Sequence, residues 1–433
     1  MGKEIKDIES LLKCNNIKKV LLIDPAFPTP NKSRNHKDLL PVGLLKISTY
    51  LKRKGIQTKL IRLNDNEDYS DEIIDFNPNL VMVTSVFTYW FDEVKNAVLY
   101  SKDKLGDVNV MIGGIMVSLL DKKYLDEIPY DYFYSGVVEG AEHLPPDYSL
   151  LENGGKDINF QIIHSSRGCE RGCKFCGVNK IEPKFHGFPS IENEIIRKNL
   201  VFYDNNLLRN PHVEILLLEL IRLKKEKKIT RCESQSGFDG RILRKNPKLA
   251  KLLKEANFKD PKIAWDGPYG QKKKRKKEID ILVDAGYNPK EIAVFMLYNH
   301  DLSYNDLEKK RAICFEWGVQ ISDCRFRPLD SLTDGYNPHK KSQERNEYYI
   351  HENWSDEQVR QFRRNVRRHN ICIRHNMSYH SRQAELKKIS KEDSMKIRTM
   401  SYEEVLKTDI IDDAWNPAEP YYIKNESKQD KLL

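Results

Sequence analysis

Cys169, Cys173 and Cys176 fall within eight residues, in the run Arg167-Gly-Cys-Glu-Arg-Gly-Cys-Lys-Phe-Cys-Gly177. Gly168 and Gly172 punctuate the run and predict a tight loop. Three thiolates can hold three irons of a four-iron, four-sulfur cluster, and with no fourth cysteine nearby the last iron stays open to another ligand. An open iron is a place for chemistry.

Other uses of clustered cysteines fit less well. A structural zinc site takes four ligands, usually as two separated pairs, and the second pair is missing here. His164 lies in an apolar segment, Gln161-Ile-Ile-His-Ser165, that predicts a strand, so it is expected as a satisfied core or edge histidine rather than a ligand. Disulfides need an oxidising compartment, and the start Met1-Gly-Lys-Glu-Ile-Lys-Asp7 lacks the apolar stretch of a secretory signal. Lys6 stands where myristoylation of Gly2 would need a hydroxyl. Zinc and disulfide stay open as the lesser alternatives, and a cytoplasmic location is expected.

The spacing Cys-x-x-x-Cys-x-aromatic-Cys, with Phe175 in the aromatic position, resembles the signature of the radical SAM superfamily. The resemblance implies that Cys169, Cys173 and Cys176 ligate a [4Fe-4S] cluster whose open iron binds the amino and carboxylate groups of S-adenosylmethionine (SAM). It further implies that an electron, delivered by an external flavodoxin or ferredoxin type of donor, breaks the sulfonium bond and releases a 5′-deoxyadenosyl radical. Phe175 and Gly177 become candidate SAM contacts. The cofactors then supply the difficult step while the protein positions them. Arg167, Arg171 and Lys174 would favour thiolate by their charge, though charged loops are also ordinary.

The elements that must carry this loop come from a chain of 433 residues and 50.8 kDa, enough for two or three domains. Hydrophobic residues make up 39%, with no apolar run of the roughly eighteen residues that a membrane span needs. The net charge of +9 permits anionic partners without demanding them. Three regions are expected: 1–155, 156–330 and a C-terminal extension, 331–433, as a substrate or cap region.

The first region alternates strand and helix patterns, as a doubly wound parallel sheet does. Strands are expected at Lys19–Asp24, Thr58–Arg62, Leu80–Ser85, Val108–Gly114 and Tyr132–Ser135, with a helix over Pro41–Lys54. Such sheets bind ligands at the carboxyl ends of their strands, where Ser85, Gly113 and Gly114 fall. These features, with Pro41-Val-Gly-Leu-Leu45, Ser135-Gly-Val-Val-Glu-Gly-Ala-Glu142 and Pro146-Asp-Tyr-Ser149, resemble the cobalamin-binding domain that precedes one large subgroup of radical SAM enzymes. The resemblance makes Ser85, Gly113 and Gly114 a cobalamin-like pocket. One departure matters: Asp24-Pro-Ala-Phe-Pro-Thr29 lacks the Asp-x-His-x-x-Gly element whose histidine would ligate cobalt. Either cobalamin binds without that ligand, or the domain keeps the fold and has lost the cofactor.

Six more strands, Phe160–Ser165, Asn199–Asp204, Arg231–Gln235, Lys262–Asp266, Glu291–Leu297 and Ile321–Arg327, match the partial (β/α)6 barrel that the radical SAM resemblance implies. Chemistry in parallel barrels sits at the carboxyl ends of strands, which nominates Asp204, Asn205, Gln235, Gly237, Asp239, Asp266, Asn299 and Arg327. By position, Asp204-Asn205 resembles the family's site for the SAM amino group, although its Gly-Gly-Glu form is absent. Gln235 and Asp239 would reach ribose or methionine, and Arg327 the substrate. Turns and caps use the same residue types.

Cys232, Cys314 and Cys324 stand singly in strand or helix patterns and are expected as buried inert thiols, while Cys14 and Cys372 assemble no second cluster. Ser355-Asp-Glu-Gln358 predicts a helix start. Beyond it Arg360, Arg363, Arg364, Arg367 and Arg368 share one face, opposite Val359, Phe362 and Val366. Arg363, Arg364 and Arg367 suit a phosphate-rich substrate, RNA included, or else form a solvated face paired with carboxylates. The run Lys272–Lys277 is expected as a solvated loop or helix start. Taken together, the two resemblances imply a radical SAM enzyme performing either cobalamin-dependent methyl transfer or a cobalamin-independent rearrangement, oxidation or sulfur insertion.

Overall fold

The computed structural model describes residues 2–28, 39–64 and 66–423, so that Thr29 of the segment after the first expected strand lies outside the described residues. The chain divides into two compact units, Met1–Ser236 with Arg327–Gly335 and Gly237–Phe326 with Tyr336–Leu433. The division falls inside the segment 156–330, between two groups of its strands.

In the first unit six parallel strands form one sheet: β1 (Lys3–Glu4), β2 (Lys19–Asp24), β3 (Gln57–Arg62), β4 (Leu80–Ser85), β5 (Asn109–Gly114) and β6 (Tyr132–Tyr134), in the order β1-β6-β5-β4-β2-β3. Successive strand residues point to opposite faces, and both faces are covered. Leu21, Ile23, Val81, Val83, Val110 and Ile112 pack with Phe91, Val94 and Val98 of the helix Phe91–Leu105. Val20, Leu22, Leu80, Met82 and Met111 meet Leu44 and Leu51 of the helix Val42–Arg53 on the other side. The sheet is doubly wound, and its order reverses between β2 and β4, whose ends carry Asp24 and Ser85. The short β1, two charged residues, had no apolar signal.

The same unit continues with β7 (Phe160–Ile163), the antiparallel pair β8 (Ser166–Arg167) and β9 (His186–Gly187), then β10 (Asn199–Phe202) and β11 (Arg231–Ser234). β7, β10 and β11 run parallel with β10 in the middle. The second unit holds β12 (Phe258–Lys259) and a parallel sheet of β13 (Lys262–Ala264), β14 (Ala293–Tyr298) and β15 (Gln320–Arg325). All six strands expected over 156–330 are present, and each is followed by helix before the next begins.

The C-terminal helix Asp356–His375 starts at the expected capping box of Ser355 and Gln358 and stops at Asn376 in a left-handed conformation. Val359, Phe362 and Val366 on its apolar stripe are buried. The lysine-rich run forms the first half of the helix Lys272–Asp284, where Arg275 is not solvated but paired at 2.8 Å with the buried Glu278. Among the described residues no helix is long and apolar enough to cross a membrane.

Candidate cofactor site

The chain leaves β7 and enters the cysteine loop through Ser165 and Ser166, both fully buried. Asp204, just past β10 and also fully buried, accepts the Ser165 amide at 3.0 Å and both serine hydroxyls at 2.6 Å. Burial pushes its carboxyl pKa up, against the opposing pull of these hydrogen bonds and of Arg167. Fully buried and bonded to both serines, Asp204, nominated for the SAM amino group, braces the loop.

The base of the loop is tied as firmly. Gly168 has φ +76°, and a Cβ there would lie 2.5 Å from the Lys184 carbonyl oxygen. The Gly168 amide donates to Glu182 Oε2 at 2.7 Å, and Asn205 Nδ2 donates to the same oxygen at 2.8 Å. Asn205 therefore belongs to the base of the loop. Within the loop, Gly172 adopts φ +59° and the Cys176 amide donates to the Cys173 carbonyl at 3.0 Å. Cys169, Cys173 and Cys176 form no disulfide, and each is half-buried on this one turn. Soft donors of this kind suit iron–sulfur ligation. Among the described residues no three cysteine, histidine or acidic side chains already converge on one point, so the turn supplies three donors without a preformed cage.

Phe175 and Gly177 stand half-buried beside the thiols, and a Cβ at Gly177 would come within 2.7 Å of Leu119 Cδ2, so that the leucine side chain would have to move. Arg171 and Lys174 are exposed, as a charge-offsetting role would need. Arg167 is not available for that role. Its guanidinium binds Glu142 through Nε at 2.8 Å and Nη2 at 2.7 Å, and Glu182 through Nη1 at 3.0 Å. Burial would raise the Glu142 carboxyl, but Arg167 outweighs it and the pKa is lowered. Behind Glu142, Lys46 lies 3.5 Å from Glu194, whose carboxyl burial pushes up. His164 is buried as expected but not satisfied: Nδ1 has no hydrogen-bond partner among the described residues. Burial, with Arg167 and Lys46 adding to it, holds the imidazole pKa well below its ordinary value.

The expected cobalamin pocket is a close-packed corner. Ser85 Oγ donates to the Gly113 carbonyl at 2.7 Å and accepts the Val117 amide at 3.3 Å. Next to it, four rings that the sequence reading missed follow β2 and β4: Phe27 and Trp90 have centroids 5.0 Å apart, Phe87 and Trp90 4.9 Å, Phe87 and Tyr89 5.0 Å. The run Phe87-Thr-Tyr-Trp90, two residues after Ser85, was the available signal. Arg327 lies over the Tyr89 ring at 4.5 Å and pairs with Asp334, which takes up the charge assigned to substrate. Small residues and aromatic rings at the carboxyl edge of the sheet suit a large, flat, largely apolar group such as a corrin. Ala26 stands where the cobalt-ligating histidine would be, so the edge offers no nitrogen there.

The remaining nominees divide between the units. In the first, half-buried Gln235 directs Nε2 toward Glu233 at 3.5 Å. In the second, Asp239 caps the helix Gly240–Lys245 and pairs with Arg241 at 2.8 Å. Gly237 has φ +73°, and a Cβ there would lie 2.7 Å from the Lys262 carbonyl oxygen. Buried Asn299 donates to the Tyr349 carbonyl and accepts the His351 amide, both at 2.9 Å. Asp266 lies in the field of buried Lys310, whose pKa burial lowers to about 8.

The five arginines of the C-terminal helix do not make one phosphate-facing arc. Arg360 is 5% exposed and binds Asp356, Gln343 and two carbonyls, and Arg363 lies over the Tyr336 ring. Arg364 hydrogen-bonds Gln361, while Arg367 and Arg368 both face Glu385. Of the single cysteines, Cys232, Cys314 and Cys372 are buried, and burial raises each thiol pKa, for Cys372 to about 12. Cys324 is exposed, contrary to expectation, and so is Cys14.

Residues 34–144 match the family model described as the B12 binding domain. No curated protein matches the chain. Among solved structures, the apo cobalamin-dependent S-adenosylmethionine radical enzyme OxsB shares 13% identity over 71% of this chain and 53% of its own, with a TM-score of 0.47. The chain thus spans about half the length of that structure. A cobalamin-binding protein from Desulfitobacterium hafniense shares 18% over 29% of this chain and 54% of its own, with a TM-score of 0.19. The carboxyl transferase domain of Rhizobium etli pyruvate carboxylase shares 11% over 77% of this chain and 44% of its own, with a TM-score of 0.21. The chain joins a domain matched by the B12-binding family to a following cysteine loop with the spacing of the radical SAM signature.

Proposed function

We propose that this chain is a radical SAM enzyme that uses cobalamin to transfer a methyl group to an unactivated carbon. The observation that carries the reading is the succession, within one compact unit, of a B12-binding-family domain and the loop Cys169-x-x-x-Cys173-x-Phe175-Cys176 at the carboxyl end of β7. A [4Fe-4S] cluster with SAM supplies one-electron cleavage to a 5′-deoxyadenosyl radical, and cobalamin supplies the methyl group.

The residues of the chain hold and orient. Cys169, Cys173 and Cys176 are the cluster ligands, and Phe175 and Gly177 the surface beside them for SAM. Asp204 fixes the entry of the loop through Ser165 and Ser166, and Glu182 fixes its base through Gly168 and Asn205. Ser85, Gly113 and Gly114 shape the cobalamin edge. An external one-electron donor of flavodoxin or ferredoxin type completes the system.

Anaerobic purification with cobalamin available, followed by reconstitution with iron and sulfide, tests the reading. Iron–sulfide and corrinoid absorbance, with 5′-deoxyadenosine formed from SAM and a reductant, is the expected result. Cys169→Ala, Cys173→Ala and Cys176→Ala should each abolish 5′-deoxyadenosine while leaving the circular dichroism unchanged. Protein with neither cluster nor SAM cleavage would refute it. Ala26 at the histidine position favours a second reading, a cobalamin-independent rearrangement, oxidation or sulfur insertion. A cluster without corrinoid selects that one.

A further inference from the structure

Glu142 lies within the segment that matches the B12-binding family, and Arg167 lies two residues before the first cluster cysteine. We infer that Glu142, Arg167 and Glu182 form a clamp of positioning residues that couples the cysteine loop to the cobalamin-binding domain. The inference rests on the proposed function.

The path is continuous. Glu142 takes the guanidinium with both oxygens, at 2.8 and 2.7 Å, and Glu182 takes its third nitrogen at 3.0 Å. The other oxygen of Glu182 accepts the Gly168 amide at 2.7 Å, the residue that opens the loop. On the domain side, Lys46 of the helix Val42–Arg53 binds the Glu142 carbonyl and lies 3.9 Å from its carboxylate. The links through Arg167 join fixed groups with directional bonds, because a planar guanidinium paired bidentately cannot swivel as the Lys46 ammonium can.

Burial separates this clamp from an ordinary ion pair. The side chains of Glu142, Arg167 and Glu182 are 7%, 15% and 11% exposed. Exposed pairs hold no geometry worth the name, whereas removing one partner of a buried pair leaves a charge that must rearrange its surroundings. Any displacement of the helix Glu139–Glu142 on cobalamin binding would thereby be passed to Arg167 and on to the base of the loop. Misplacement of reacting groups by about 1 Å costs on the order of a hundredfold in rate.

The test uses the full chain, reconstituted anaerobically, with the electron paramagnetic resonance spectrum of the reduced cluster plus SAM recorded with and without methylcobalamin, which is diamagnetic and does not take an electron from the cluster. Wild type should show a change in line shape when cobalamin is added. Glu142→Gln should keep iron, sulfide and corrinoid content, lose that change, and cleave SAM about a hundredfold more slowly. Glu142→Asp should restore part of the change, and Glu9→Gln, at an exposed pair with Lys13 and Lys54, should match wild type. A Glu142→Gln spectrum that still responds like wild type, or a wild type that never responds, overturns the clamp. Should Glu142→Gln fail to fold, Arg167→Lys, which keeps the charge and loses the fork, carries the same two outcomes. Wild type lacking cluster or corrinoid overturns the proposed function first and the clamp with it.

Discussion

Gly114 approaches Ser85 so closely that a Cβ at residue 114 would lie 2.3 Å from the Ser85 carbonyl oxygen, and its φ of +101° suits glycine alone. The corner of β4 and β5 that faces the proposed cofactor edge depends on this contact. Gly114→Ala should destabilise the chain by about 2 to 4 kcal/mol through clash and backbone strain together. Gly43, inside a helix with nothing within 4 Å of its would-be Cβ, is the control. Gly43→Ala should be neutral or stabilising by up to about 1 kcal/mol, and urea midpoints of the two variants measure the contrast.

Asp24, at the end of β2, is 3% exposed and pairs with Arg62 at 2.8 Å, yet burial outweighs the pair and raises its pKa to about 6. A carboxyl whose pKa rises on folding holds its proton more tightly in the folded chain. Its contribution is therefore full below the unfolded value near 4 and falls away as the pH climbs to about 6. The stability of wild type relative to Asp24→Asn should drop by about 3 kcal/mol between pH 4 and pH 7. Denaturant titrations of both proteins across that range would show a flat difference if the carboxyl were unperturbed.

Arg360 and Arg367 belong to one helix and should behave as opposites. Arg360 is buried among Asp356, Gln343 and two carbonyls, and Arg360→Ala should cost about 3 to 5 kcal/mol. The Arg367 side chain is 70% exposed and 3.7 Å from Glu385, so Arg367→Ala should change stability by less than about 0.5 kcal/mol. Thermal unfolding of the two variants makes the comparison directly.

Arg311 is fully buried, binds Glu308 at 2.9 Å and the Pro417 carbonyl at 2.7 Å, and lies 4.6 Å from the Trp415 ring centre. The Tyr421 amide completes the arrangement by donating to Glu308 at 2.9 Å. Arg311→Met should strand the Glu308 charge, cost about 3 to 5 kcal/mol and loosen residues 414–423. Limited proteolysis should then cut within that stretch in the variant and spare it in wild type.

The sequence by itself determined the apolar strands and the three thiols, though not short polar strands such as Lys3–Glu4. Strands such as Lys19–Asp24 and Leu80–Ser85 are short apolar runs bounded by breakers, and a run that must be buried on both faces leaves that signature whatever surrounds it. The cysteine loop was legible because ligand spacing is local. What only the tertiary structure decided is which polar side chains are spent. Asp204, Asp239, Arg327 and the arginines of the last helix all looked available at the ends of strands or on a helix face, and all are bound by partners brought in by folding. Asp204 meets Ser165 across 39 residues of chain, and Arg167 meets Glu142 across 25. A carboxylate or guanidinium carries no sequence mark of its partner, because burial and charge pairing are settled by the neighbours that packing supplies rather than by the residues beside it in the chain.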